Sequence, residues 1–291
     1  MNIIVKPEKD LEEYIKLGIN TFLLPLEDFS VEYSKYYSLA EIKKVREKYP
    51  KIELFISINK NIMNEEIDSL KDVLIQLDKL NIKGIFFYDS ALIRLMKKLK
   101  LNVCLVWAQT HMVTNYNSCN YYYDNGVEYA MLSKELRLDE VKEIISKART
   151  KSIIELITKP SIAFSKRHLV TNYYTNVNEE VKDEVVVNEK ISDTDLIVKE
   201  NEDGSTFIKN SILNGFVILD ELMDTNLSYI LIKEDYIDHD LFIKIITNLV
   251  YYLNNYKEMN TLEKEKFIKN QAELLGNDTG FFFRKMIYKV K

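Results

Sequence analysis

The chain has 291 residues, 46% hydrophobic and 29% charged, which excludes a disordered or fibrous polymer and allows a full core without disulfide or metal staples. Its formal net charge of −5 argues against wholesale nucleic-acid binding, which favours a basic domain, and leaves room only for a local basic face. Seven Gly and four Pro leave no long flexible linker, no apolar run is long enough to span a bilayer, and residues 1–10 lack an apolar signal region.

Short β-rich apolar runs alternate with helical patterns along the chain. Residues 3–5 read as the first strand. Leu11, Tyr14, Ile15 and Leu17 then follow helical spacing, and Gly18 ends that helix. Residues 21–24 form the second strand; Ser38 caps a helix through Ile42, Val45 and Arg46 that Pro50 stops. The third strand is 52–58, followed by a helix opened by Asn64, Glu65 and Glu66 with the apolar stripe Ile67, Leu70, Leu74 and Leu77. The fourth strand is 85–87, with a helix over 92–99, and the fifth is 103–107, with a short helix over 119–123 ending at Asn125-Gly126. Residues 128–132 form the sixth strand, before a helix carrying Leu138, Val141, Ile144 and Ile145; 153–157 form the seventh. Residues 229–232 read as the eighth, followed by a helix from Asp240 to Tyr256.

Eight β-α units with right-handed crossovers predict an eight-stranded parallel β/α barrel of the TIM type; an open doubly wound sheet is the structural alternative. The pattern breaks once, over 174–222, where 185–187, 196–198 and 206–208 look like strands with a turn at Asp203-Gly204. This is a β insertion after the seventh strand, on the side where barrel enzymes build their sites. The expected division is a barrel over 1–256 that includes the insertion, and a helix and tail over 257–291 packed on it, with a last apolar segment at 281–290.

The chemistry-bearing residues are sparse. Cys104 and Cys119 have neither metal spacing nor a disulfide framework, so reduced thiols in a cytoplasmic protein are the default. Basic clusters at Lys43, Lys44, Arg46 and Lys48, at Lys97, Lys98 and Lys100, and at Lys147, Arg149 and Lys151 suit solvated helix ends. No zinc-protease His-Glu-x-x-His and no Gly-x-Ser-x-Gly elbow occurs. Asp278-Thr279-Gly280 spells an aspartic-protease triplet without its partner copy, and Cys119 with His111 makes no supported nucleophile–base pair. Glu135 and Glu155 lie near the C-terminal ends of adjacent predicted strands, so both point at the expected catalytic mouth, where paired carboxylates can share a proton or bind a cation. The plainer alternative is that each pairs with a local base such as Lys134 or Lys159. Asn115 follows the fifth strand and offers both donor and acceptor. Ser165, Lys166, Arg167 and His168 form a dense polar stretch in which Arg suits a phosphate or carboxylate, and Tyr173 and Tyr174 can stack on an unpaired base; an ordinary surface loop with amphipathic tyrosines is the alternative. Trp107 and His111 read as packing residues.

Three segments carry a family resemblance. The first is Val113-Thr114-Asn115-Tyr116, then Gly126, then Met131-Leu132-Ser133-Lys134-Glu135-Leu136. The second is Ile154-Glu155-Leu156 running to Ser165-Lys166-Arg167-His168-Leu169 and Asn172-Tyr173. The third is the closing Ile287-Tyr288-Lys289-Val290-Lys291, and Asp203-Gly204 with Thr206 fits the insertion. In this order they resemble the small, cysteine-poor members of the collagenase-like peptidase family (peptidase family U-32) from low-GC bacteria. The resemblance implies a hydrolase by family name, and for the RNA-modifying members 5-hydroxylation of a tRNA wobble uridine. The candidate catalytic residues are Glu155 and Glu135, and the candidate substrate-binding residues are Asn115, Ser165, Arg167, Asn172 and Tyr173, with no metal ligand. Relatives that hydroxylate carry four cysteines for an iron–sulfur cluster, two of them in the loop after the seventh strand. Here residues 160–168 contain no Cys, and such a cluster needs thiolates. The resemblance therefore implies no cofactor in this chain, a cluster only in a larger cysteine-bearing paralogue with which it forms a heteromer, tRNA as the other partner, and no membrane. A collagenase-like peptidase and a non-catalytic scaffold for the paralogue are the alternatives.

Overall fold

The structure, a computed structural model, describes residues 1–182, 184–190 and 193–284. The first half alternates strand and helix: β1 (Asn2–Lys6), α1 (Leu11–Lys16), β2 (Thr21–Pro25), α2 (Leu39–Lys48), β3 (Glu53–Ile58), α3 (Ile67–Lys79), β4 (Gly84–Phe87), α4 (Ala91–Leu99), β5 (Cys104–Trp107), α5 (Tyr116–Asp124), β6 (Tyr129–Met131), α6 (Leu138–Lys147) and β7 (Lys151–Thr158). The insertion follows as β8 (Ser161–Ser165), α7 (Leu169–Val177), β9 (Glu184–Glu189), β10 (Thr194–Asn201), β11 (Gly204–Lys209), β12 (Leu213–Asn214) and α8 (Leu219–Met223). The chain then returns as β13 (Tyr229–Lys233), α9 (His239–Asn255) and α10 (Thr261–Leu275).

Strands β1 to β7 pair in parallel in chain order, and β13 pairs in parallel with both β7 and β1, so the eight-stranded barrel is closed. Closure removes both sheet edges and rules out the open doubly wound sheet. Local signals act as the sequence predicts. The Ser38 hydroxyl accepts from the Glu41 amide at 3.3 Å while the Glu41 carboxylate accepts from the Ser38 amide at 2.8 Å, a reciprocal cap that contributes about 1 kcal/mol.

Alternation along the strands separates two cores. Val5, Phe22, Leu54, Ile85, Leu105 and Ile154 face outward to the helices, whereas Ile4, Leu23, Phe55, Phe86, Val106, Tyr129, Ile153 and Leu231 fill the barrel. Phe55 meets Phe86, Tyr129 and Tyr229 edge-on at centroid distances of 5.5, 6.1 and 5.6 Å, which plugs the N-terminal half of the interior. Gly84 makes the space, since a Cβ there would lie 2.8 Å from the Phe55 ring.

The insertion forms an antiparallel sheet in the order β8-β11-β10-β9, with α7 packing Val170 and Tyr174 against Val198. Its β10–β11 turn falls at Asp203-Gly204 as the sequence predicts. Gly204 has φ +134°, and a Cβ would lie 2.0 Å from the Ser165 carbonyl oxygen, so only glycine fits. The sheet also recruits Ser161–Ser165, which the sequence presents as loop. Its Ser-Ile-Ala-Phe-Ser run is too polar to announce a strand, and it becomes one by pairing with β11. Helix α7 is likewise unannounced. Residues 287–291 of the closing motif lie outside the described residues. Among the described residues no helix is long and apolar enough to cross a membrane.

Candidate functional site at the barrel mouth

At the C-terminal ends of the strands the inward positions turn from apolar to charged. Above Ile4 sits Lys6, above Phe55 sits Ser57, above Ile153 sits Glu155, and above Leu231 sits Lys233. Lys6 is fully buried; its Nζ donates to Asp235 Oδ1 at 2.7 Å and to the Glu8 carboxylate. The Lys233 Nζ lies 3.0 Å from Glu155 Oε2, and both side chains are buried. The connection from β2 to α2 roofs these pairs. The Ser34 amide and hydroxyl donate to Asp235 Oδ1 at 2.7 and 2.6 Å, and the Tyr33 hydroxyl donates to Ser57 Oγ at 3.1 Å. Both ammonium groups lie 5.7 Å from the Tyr33 ring centroid, within cation–π range. Backbone strain gathers at this mouth, with Asp28 and Glu32 in the roof at φ +67° and +69° and Tyr236 just past β13 at +63°.

The electrostatics keep these pairs ionised. Burial alone would raise the Glu155 pKa, but Lys233 and Lys134 outweigh it and hold the carboxyl below its usual range. Asp235 is likewise lowered, with Lys6 and Lys233 overcoming burial. Burial works against the Lys233 ammonium, yet Glu155, Tyr33 and Asp235 raise it above the usual lysine range. Burial raises the Tyr36 phenol in the same roof to about 12. One oxygen of each buried carboxylate, Glu155 Oε1 and Asp235 Oδ2, has no hydrogen-bond partner. Each is a strong acceptor whose isolation is costly, and a donor-bearing ligand or a water would satisfy it. A cavity of about 260 Å³ opens beside the roof, lined by Val31, Asn59, Lys60, Tyr88 and His111 from the barrel and by Lys166 from the insertion.

The residues singled out by sequence fall in different places. Glu155 is in the network, but its partner is Lys233 rather than the neighbouring Lys134 or Lys159. Glu135 is not paired with it: Glu135 stands half exposed on the rim and meets His111 Nδ1 at 3.1 Å. Asn115 is the N-cap of α5, its side-chain oxygen accepting from the Ser118 amide at 2.8 Å, so half of its predicted bonding capacity is already used. Ser165 accepts from the Arg167 amide at 3.2 Å; Arg167, Asn172 and Tyr173 are exposed on the insertion, Tyr173 edge-on to Tyr174 at 5.3 Å. Trp107 packs as expected, stacked on Tyr122 at 3.9 Å. Asp278 is tied to Lys209, Ser211 and the Gly280 amide, a structural corner rather than half of a protease pair. Sequence reasoning missed Lys6, Lys233 and Asp235. The signal was a repeated pattern: an apolar strand run ending in lysine, Ile3-Ile4-Val5-Lys6 and Ile230-Leu231-Ile232-Lys233, on strands that prove adjacent.

The sequence pattern of Peptidase family U32 matches residues 9–288. The chain belongs to this family. It is 22% identical over 302 residues to tRNA hydroxylation protein P2 of Bacillus subtilis (strain 168), covering 96% of each chain. It is 23% identical over 149 residues to tRNA hydroxylation protein P1 of the same organism, covering 51% of this chain and 34% of that one. Two proteins of that organism thus resemble this chain, one of them over 96% of its length. The solved U32 peptidase Mk0906 shares the fold, with a TM-score of 0.50 at 12% identity over 80% of this chain and 92% of that one.

The cysteines of this U32 chain do not fit a four-thiolate cluster. Cys104 donates from Sγ to Glu128 Oε2 at 2.8 Å, and Cys119 is buried in α5. Burial, helped at Cys104 by Glu128, pushes both thiols up to about 11, the opposite of what a metal-binding thiolate needs.

Proposed function

We propose that this U32 protein is a clusterless subunit in the 5-hydroxylation of tRNA wobble uridine and acts with a larger, cysteine-bearing paralogue in the cytoplasm. The observation that carries the reading is the end-to-end match to tRNA hydroxylation protein P2, against a partial match to the longer P1. The two high-pKa thiols support the absence of a cluster in this chain. The peptidase reading draws no support from the histidines. All three face carboxylates: His111 meets Glu135, His168 lies 3.6 Å from Glu200, and His239 bridges Glu234 and Glu13. In the proposed arrangement Glu155, with its free Oε1, is the acceptor at the barrel mouth and Glu135 with His111 lies on the rim. Ser165, Arg167, Asn172 and Tyr173 then offer the insertion's face to RNA backbone and bases, with Asn115 at the edge.

Nucleoside mass spectrometry of tRNA from a deletion strain tests this. Loss of hydroxyuridine on deletion, restoration by the wild-type gene and failure of Glu155→Gln to restore it are the expected results. Arg167→Ala is expected to restore it partially, as for one lost charged contact. Unchanged hydroxyuridine in the deletion strain overturns the reading. Full restoration by both variants leaves the scaffold role as the better account.

A further inference from the structure

A second, smaller cavity of about 110 Å³ lies on the barrel rim. The β6–α6 connection, the start of β8, the end of β11 and the segment 278–281 form its walls. Most of its surface is apolar, supplied by Pro160, Ile162, Leu213 and Phe281. Its charged groups largely cancel. Lys209 is paired with Asp278 at 2.5 Å, and Asp278 is further held by Ser211 and the Gly280 amide. Glu135 is paired with His111 at 3.1 Å.

Lys134 is left over. Its ammonium makes one hydrogen bond, to the Ser161 carbonyl at 2.5 Å, and no ion pair with a described residue. An ammonium has three donors, so two remain for something in the cavity. Beside it the Ser161 hydroxyl is buried and has no partner. A buried hydroxyl and a partly buried ammonium, both under-bonded on one apolar cavity, are each costly alone and are satisfied together by one acceptor-rich anion.

We propose that this rim cavity binds a small organic monocarboxylate, its carboxylate on Lys134 Nζ and Ser161 Oγ and its apolar body against Leu213 and Phe281. The state of Lys134 supports this. Burial lowers its pKa, with Lys233 adding to the effect, and the more distant Glu155, Glu32 and Glu135 only partly oppose it. Glu155 acts on this ammonium without forming an ion pair with it, and a bound carboxylate supplies a counter-charge in direct contact. The apolar walls select against inorganic anions, whose hydration they cannot replace.

The test is calorimetric titration of the full chain with benzoate, with its neutral analogue benzamide and with inorganic phosphate. Saturable benzoate binding is expected, with benzamide and phosphate at least about tenfold weaker, because one loses the charge and the other the apolar body. Lys134→Gln and Ile162→Asp are each expected to weaken benzoate about tenfold or more, Ser161→Ala severalfold, and the exposed Lys98→Ala on α4 not at all. Ile162 is 45% exposed, so its variant folds even if Lys134→Gln does not, and the added carboxylate then decides the matter by repulsion. No benzoate binding, equal binding of benzamide or phosphate, or binding indifferent to Ile162→Asp would each overturn the proposal. None of these outcomes depends on tRNA, so the rim site and the hydroxylation reading stand or fall separately.

Discussion

The two ends of the barrel carry the same ingredients in different surroundings. At the N-terminal end Lys83 pairs with Glu53 at 3.0 Å and Lys151 with Glu128 at 2.7 Å, every partner being at least one-third exposed. Tyrosines Tyr129 and Tyr229 lie beneath them. At the mouth Lys6 pairs with Asp235 and Lys233 with Glu155, again beside a tyrosine, but these partners are almost wholly buried. Exposed pairs are screened and contribute little. Buried pairs balance a large desolvation penalty against strong attraction, so they add little net stability and become very costly when one partner is lost. A chain built for stability alone fills such a place with leucine. The mouth therefore marks chemistry or recognition, whereas the opposite end is an ordinary solvated rim.

The largest effect should come from breaking a mouth pair. Lys233→Met leaves Glu155 buried without its closest counter-charge and should destabilise the fold by about 3–5 kcal/mol in urea unfolding. The double change Lys233→Met with Glu155→Leu should recover most of that loss, because the uncompensated charge goes with it. A double variant as unstable as the single one would mean that shape, not charge, dominates here, and the contrast between the ends would collapse.

The pH dependence sharpens the contrast further. Glu155 and Asp235 have lowered pKa values in the fold, so their contribution is present above the ordinary carboxyl range near 4 and is lost as pH falls through their folded values. His239 behaves oppositely. Its hydrogen bond to Glu234 is the largest cause of a raised pKa, with burial opposing and Glu13 assisting. Its contribution is complete below about 6.5 and is lost as pH rises through its higher folded value. Stability curves against pH should therefore show Asp235→Asn flattening the acid limb and His239→Gln flattening only the limb above about 6.5. The reverse assignment of limbs would show that the mouth pairs are not ionised as the geometry requires.

The barrel was legible in the sequence because its signal is local: each strand is a short apolar run, each helix has a stripe, and caps such as Ser38 are short-range. The insertion was half legible. Strands β10 and β11 carry β-branched runs and a glycine turn, whereas β8 is a strand only because β11 lies beside it. The site was the least legible part. Glu155 could be found from its place on a strand, but Lys233 lies 78 positions later and Lys6 at the other end of the chain, joined only by closure of the barrel. Glu135 looked equivalent to Glu155 in sequence, yet one faces solvent and the other the barrel interior, a distinction that depends on where β6 stops.

The smallest effect belongs to the N-terminal end, and it tests whether exposure is the deciding variable. Glu128→Gln removes the ion pair to Lys151 but keeps an acceptor for the Cys104 thiol, 2.8 Å away. The cost should be about 0.5 kcal/mol at low ionic strength and should vanish at high salt, because an exposed pair is screened within a Debye length of about 10 Å at 0.1 M. The same salt should leave the penalty of Lys233→Met unchanged, since no counter-ion reaches that pair. The thiol gives an independent readout. Burial is the main reason Cys104 is raised to about 11, and the Glu128 carboxylate is the next, so Glu128→Gln should bring the thiol part of the way back and speed its alkylation at pH 9. Equal salt sensitivity at the two ends would erase the distinction between them. Faster alkylation with no change in stability would sharpen it, by showing that the charge at the solvated end is felt by its neighbour and not by the fold.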